Sequence, residues 1–281
     1  LNLLEAIFLG IIQGLTEFLP ISSTGHLTLA GKLMNLISAE HPEQWTAFIA
    51  IIQLGTLISI MIYFWKDIWN IVAAFIKQNT KFVSFKEQTT EARLGWLIII
   101  GSVPVVIIGL LFKDIIEGAL TKDLYVVAGS LICLAIILAV AEKVAKFRKN
   151  ISDINIIDSL VIGFAQALAL IPGSSRSGTT ITGGLFMGLT RETAARFSFL
   201  LSIPAILGSG LLQVYEALEF VDASMTINLI AATIAAALSG YVAIDFLLKF
   251  LRRYSTFLFI YYRIALGIII LILISLNYIQ H

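Results

Sequence analysis

Leu3-Leu-Glu5-Ala-Ile-Phe-Leu-Gly10-Ile-Ile-Gln13-Gly-Leu-Thr-Glu17-Phe-Leu-Pro20-Ile-Ser22-Ser23-Thr24-Gly25-His26 starts as an apolar helical run and stops before it is long enough to cross a bilayer. A helix needs about 20 apolar residues to traverse a hydrocarbon core of roughly 30 Å. Here Pro20 and a group of hydroxyls and glycine interrupt the run, and apolar sequence resumes toward Ile37. The region Ile156–Leu189 is interrupted in the same manner at Pro172-Gly-Ser-Ser175-Arg176-Ser177-Gly-Thr-Thr180. Two short halves around such a break predict a re-entrant hairpin that enters and leaves the membrane on one side. Irregular backbone at that depth is tolerated only inside protein or along a wet cavity.

The rest of the chain places these regions in a membrane. Apolar residues make up 58% of the 281 residues and charged residues 13%, about half the charge that a soluble domain carries. The net charge of +1 gives no sign of a nucleic-acid partner. The single cysteine, Cys133, lies in an apolar run, which reads as a small packed side chain and excludes an internal disulfide. The first residues carry Glu5 and no basic group, so no cleavable signal is expected there.

Six stretches are long enough to span: Trp45–Trp65, Leu94–Phe112, Leu124–Ala141, Phe197–Tyr215, Ile227–Leu248 and Phe257–Leu276. Basic residues concentrate in Lys66–Arg93, Lys143–Lys149 and Lys249–Arg253, whereas Glu216–Ser224 holds Glu216, Glu219 and Asp222 with no Lys or Arg. The positive-inside rule puts the three basic loops in the cytoplasm. All six spans then alternate correctly if neither broken region crosses, with both termini outside and Arg191 and Arg196 inside.

The broken regions also resemble each other. Gly10-Ile-Ile-Gln13 precedes the first break and Gly163-Phe-Ala-Gln166 the second, and three spans follow each. A hairpin plus three crossings forces the second unit to start on the opposite face. The expected fold is therefore all-α: one integral membrane domain over residues 1–281, with six transmembrane helices and two re-entrant helical hairpins in an inverted-topology repeat. Repeat 1 covers about 1–142 and repeat 2 about 156–281. Such repeats place a site near the midplane, where the tips meet.

The chemistry at the tips points to phosphate. Glu17 is a carboxylate in an apolar run, a placement that costs on the order of 3 kcal/mol unless it is paired or snorkels to the interface. Gln13 lies four residues earlier on the same helix face. A carboxylate with an amide oxygen suits a hard divalent cation such as Mg²⁺ or Ca²⁺. The second tip offers glycine-rich backbone amides, the hydroxyls of Ser175, Ser177 and Thr180, and the Arg176 guanidinium, a fork matched to phosphate oxygens. Ser22, Ser23 and His26 share the first tip, where Ser23 is a plausible nucleophile beside a base. His41 and His281 read as solvated. Asp245 is expected to pair or meet headgroups, and Arg263 ranks below Arg176 as a site residue.

Gln13 through His26, with Pro172 through Thr180, Arg196-Phe-Ser-Phe-Leu-Leu and Tyr262-Arg263-Ile, resembles the bacterial undecaprenyl-diphosphate phosphatase family (BacA/UppP) over essentially the whole chain. The resemblance implies a multi-pass enzyme of the bacterial inner (plasma) membrane that hydrolyses undecaprenyl diphosphate to the monophosphate. It also implies a divalent cation, a link to bacitracin resistance and a site facing the outer side. Glu17, Ser23, His26 and Arg176 take the catalytic positions. Gln13, Ser22, Ser175, Ser177 and Thr180 contact substrate, and Glu17 with Gln13 holds metal. Where the family pattern allows Glu or Gln, this chain has Gln13, one negative charge fewer. The expected partners are the polyprenyl diphosphate lipid, the bilayer and, as an option, a second copy in a homodimer. A carrier or flippase for a polyprenyl phosphate could use the same cradle. An acid-phosphatase mechanism needs two histidines, and only His26 is suitably placed.

Overall fold

The computed structural model describes residues 1–37, 42–117, 123–217 and 223–279; His41, Glu219, Asp222 and His281 lie outside them. Among the described residues the chain forms α-helices and no strand: α1 (Leu3–Phe18), α2 (Ser23–Leu33), α3 (Pro42–Tyr63), α4 (Trp65–Thr80), α5 (Thr90–Leu111), α6 (Lys113–Glu117), α7 (Leu124–Val144), α8 (Ile156–Ala167), α9 (Arg176–Phe186), α10 (Arg191–Ala217), α11 (Ala223–Leu251) and α12 (Phe257–Ser275). Six of them, α3, α5, α7, α10, α11 and α12, are long and apolar enough to cross a membrane. Each of the six predicted spans falls on one of these.

Each interrupted region is a pair of short helices, α1 with α2 and α8 with α9, and the two pairs match at a constant offset along the chain. Asn2 and Glu5 form a capping box at the start of α1, as Asn155 and Asp158 do for α8. Ser22 and Ser175 both sit at positive φ, +75° and +68°, and both cap the following helix by accepting from an amide three residues on. After α2 and α9 the chain turns through Asn35 and Gly188, again at positive φ. The gaps needed to align the two prolines in sequence vanish in the structure, because Ser22 matches Ser175 and Gly25 matches Gly178.

Close backbone approach holds each pair in place. Gly10 of α1 lies against the Ala232 carbonyl of α11, and Gly163 of α8 against the Gly101 carbonyl of α5; a Cβ at either glycine would collide with backbone. Small residues at such crossings let helices pack where apolar burial gives no advantage over lipid. Behind the first tip Phe199 of α10 is buried between Phe18 and Phe64, its ring 5.2 Å and 6.2 Å from theirs.

The stretch Lys66–Arg93, read from sequence as a basic loop, is mostly the helix α4. Its Trp65, Trp69, Val72 and Ile76 recur along one exposed face, while Ile71 is buried and Phe75 packs on Trp96 of α5. The interspersed Lys66, Asp67 and Lys77 conceal this stripe in a hydropathy average. A helix with an exposed tryptophan-rich face and basic neighbours suits the membrane interface. The neighbouring helix ends are laced by ion pairs: Arg196 with Asp67 at 2.7 Å, Arg252 with Glu192 at 2.7 Å, Lys149 with Asp158 at 2.8 Å, and Arg191 with buried Glu142. Asp245, expected to pair, accepts from Lys249 at 2.7 Å and Tyr63 at 3.2 Å.

Gly163→Ala is expected to lower the Tm in detergent, since overpacking costs about 1–3 kcal/mol. Gly129→Ala, where a Cβ meets open space, should leave the Tm unchanged or raise it. Equal melting of both variants would refute the close-approach account.

Candidate active site at the meeting of the two tips

Glu17 lies in the last turn of α1, and its side chain is 3% exposed. A carboxylate there needs partners, and three converge on it. Oε2 accepts from Gln13 Nε2 at 2.8 Å and from Ser23 Oγ at 2.7 Å. Oε1 pairs with Arg176 Nη2, which reaches across from the second tip. The helix turn brings Gln13 onto the Glu17 face, and the break at Leu19–Ser22 folds the start of α2 back beside the end of α1, so that Ser23 meets Glu17. Ser177 reinforces the junction by donating from Oγ to the Leu19 carbonyl at 3.0 Å.

The strained serines shape both tips. A non-glycine residue at positive φ costs on the order of 1–3 kcal/mol and persists only where its surroundings demand it. The Ser22 and Ser175 side chains offset part of this by accepting from Gly25 N and Gly178 N, each at 3.2 Å. Beneath the second tip Arg263 is fully buried, and its Nη2 donates to the carbonyls of Ser174, Gly173 and Ser130 at 2.9, 3.4 and 3.4 Å. Because a trans peptide is planar, the Ser175 N–H lies antiparallel to the Ser174 carbonyl and points away from Arg263. Arg263 thus orients the backbone of the tip from below.

The structure separates some of the residues that sequence spacing grouped. The hydrogen bonds of His26 go elsewhere than to Ser23. Its Nδ1 lies 2.7 Å from the Ser22 carbonyl and its Nε2 2.6 Å from the Tyr262 hydroxyl. A carbonyl only accepts, so Nδ1 carries the hydrogen and, in the neutral ring, Nε2 accepts from Tyr262. The carboxylate that Ser23 meets is that of Glu17. Thr180 is likewise turned inward: fully buried, it donates to the Arg176 carbonyl and meets Ser198 of α10.

Two cavities meet at this junction. A cleft of about 510 Å³ is lined by Glu17, Ser23, Ser175, Arg176 and Gln166, with Lys113 and Gln213 among its polar wall. An almost wholly apolar cavity of about 720 Å³, walled by side chains such as Phe112, Leu134, Phe164 and Phe186, shares Ile116, Leu170 and Pro172 with it. Gln166 is a site-lining residue that the sequence shows only as the repeat partner of Gln13.

Among the described residues no group of three or more His, Cys, Asp or Glu gathers into a metal cluster. Beside Glu17, however, Gln13 Oε1 is buried with no hydrogen-bond partner among the described residues. One carboxylate and one free amide oxygen fit a hard cation that keeps most of its water and completes its shell with phosphate oxygens, as Mg²⁺ does.

Six apolar crossings around a charged, hydroxyl-rich junction of two interrupted helix pairs define a multi-pass membrane protein with an internal polar site. The chain belongs to the bacitracin resistance protein BacA family, whose profile matches residues 6–269. It is 58% identical to an undecaprenyl-diphosphatase of Syntrophobacter fumaroxidans over 95% of each chain. It is 50% identical to one of Prosthecochloris aestuarii over 100% of each, and 49% identical to one of Chlorobaculum tepidum over 98% of each.

Removing one partner of a buried ion pair costs about 3–5 kcal/mol, because the other charge stays buried and unpaired. Glu17→Ala and Arg176→Ala should therefore each lower the Tm, and the double variant should lose less than the two losses combined. Additive losses would show that the pair contributes no coupling.

Proposed function

We propose that this protein hydrolyses undecaprenyl diphosphate to undecaprenyl phosphate and inorganic phosphate, which recycles the lipid carrier for cell-wall synthesis and underlies bacitracin resistance. The observation that carries the reading is the Glu17–Arg176–Ser23 junction in the wall of a polar cleft that runs into an apolar cavity. A diphosphate headgroup matches the first space and a prenyl tail the second. The names of the similar proteins and the family membership support the same substrate.

In the proposed reaction, the Ser23 hydroxyl passes its proton to Glu17 Oε2 while its oxygen bonds to the terminal phosphorus. The anhydride P–O bond breaks, and the lipid monophosphate leaves with the proton that Glu17 took from Ser23. Water then cleaves the phosphoserine, releasing phosphate and restoring the hydroxyl. Arg176 and the amides of the second tip stabilise charge on the phosphoryl oxygens, which is the dominant contribution in phosphoryl transfer. A divalent cation held by Glu17 and Gln13 would supply further charge neutralisation. His26, bonded on both ring nitrogens, positions the first tip, and Thr180 and Ser177 brace the second.

We place the site in the outer half of the bacterial plasma membrane. With the basic loops in the cytoplasm, α3 begins outside while α5 and α10 end outside. The cleft is lined by the early part of α3 (Thr46–Gln53) and by the late parts of α5 (Val105–Leu110) and α10 (Pro204–Gln213). All three are outer halves. The matching helix pairs then form a single domain of two inverted repeats, with hairpins entering from opposite faces. A lipid carrier could share this architecture, but it would leave the diphosphate intact.

Purified protein should release phosphate from a polyprenyl diphosphate, and Mg²⁺ or Ca²⁺ should raise the rate. Glu17→Ala, Ser23→Ala and Arg176→Ala should each lower kcat by at least about a hundredfold, and Tyr262→Phe by much less. Label trapped from a phosphate-labelled substrate should map to Ser23. Label on His26 would overturn the assignment of the nucleophile, and absence of release by the wild type would overturn the function.

A further inference from the structure

Gln166 is fully buried, lines the cleft with Glu17 and Arg176, and has no hydrogen-bond partner on either its amide oxygen or its amide nitrogen among the described residues. Each buried polar atom left unpaired costs about 1–3 kcal/mol, and an apolar side chain of similar shape would avoid that cost. A glutamine retained here therefore needs an answer from outside the folded chain.

Its counterpart shows what is missing. Gln13, at the matching place on α1, donates through Nε2 to Glu17, four residues on. Four residues after Gln166 stands Leu170, which offers no acceptor and lines both the polar cleft and the apolar cavity. Gln166 thus lies close to where a headgroup would give way to a tail. Arg176, the guanidinium in the cleft wall, is already paired with Glu17, so an incoming anion needs further donors. A neutral amide provides an N–H in either orientation of its O and N atoms. A cation is a poorer occupant, because hard cations select carboxylate oxygens first and the position equivalent to Glu17 is Leu170.

We propose that Gln166 binds the substrate's diphosphate, its amide N–H donating to a phosphate oxygen near the start of the prenyl tail. This rests on the phosphatase reading. It makes Gln166 a residue that sacrifices stability of the free protein for affinity, an exchange common at binding sites.

The test compares the full-length wild type with Gln166→Leu and Gln166→Met in detergent, measuring Tm and the kinetics of phosphate release from a polyprenyl diphosphate. Both variants should raise KM tenfold or more, where each tenfold is about 1.4 kcal/mol. They should change kcat little, as expected for a contact made equally in ground and transition states, and should match or exceed the Tm of the wild type. An unchanged KM would overturn the proposal, and so would a lowered Tm, which marks a structural amide bonded within the folded chain. If the wild type releases phosphate and KM does not move, this inference alone fails. If the wild type releases none, the phosphatase reading fails with it.

Discussion

A carboxylate and a guanidinium withdrawn from water must find each other, and in this protein the meeting of Glu17 and Arg176 joins the two interrupted helix pairs. Each charge alone would cost several kcal/mol in a water-poor interior. Each comes from a different tip, so compensation is available only when both hairpins are seated. The glycine contacts of α1 on α11 and α8 on α5 fix where each helix pair sits against its neighbour. The buried Arg263 shapes the second tip from below by gathering its carbonyls. The ion pairs between neighbouring helix ends hold the surrounding spans in place without entering the cleft.

The two helix pairs are one backbone design with divided chemistry. Capping boxes, strained serines and left-handed turns recur at matching places, whereas the side chains diverge. Leu170 stands where Glu17 does, Arg176 where Ser23 does and Thr179 where His26 does. One tip carries the Glu17 carboxylate and the Ser23 hydroxyl bonded to it, and the other carries the Arg176 guanidinium. An arrangement that handles an anion needs both kinds of group facing one space, and the two tips together supply them. The adjoining apolar cavity continues that space with a lining that suits an amphipathic substrate.

Much of this was legible in the residues. Composition and span length are bulk properties of transfer from water to hydrocarbon, so six crossings and two regions too short to cross follow from counting. The unusual groups at the breaks, Glu17, Ser23 and Arg176, stand out because charge and hydroxyls at membrane depth are costly. Helix α4 was less visible, since its apolar stripe is diluted by lysines in any running average. Gln166 was legible only as an echo of Gln13, and Arg263 only as a lesser arginine.

Sequence alone therefore determined the class of protein, the number of crossings, the places where helices break and the inventory of reactive groups, because each depends on local composition and spacing. Tertiary structure decided which groups meet. Spacing put His26 and Ser23 on one tip without showing whether they meet, and in the fold His26 turns to the Ser22 carbonyl and Tyr262 while Ser23 turns to Glu17. Spacing placed Thr180 with Arg176 in the cleft, but Thr180 faces α10. Direction at a tight turn is set by a few backbone torsions, here the positive φ of Ser22 and Ser175, and by the neighbours packed around them. Neither is written in the spacing of residues along the chain.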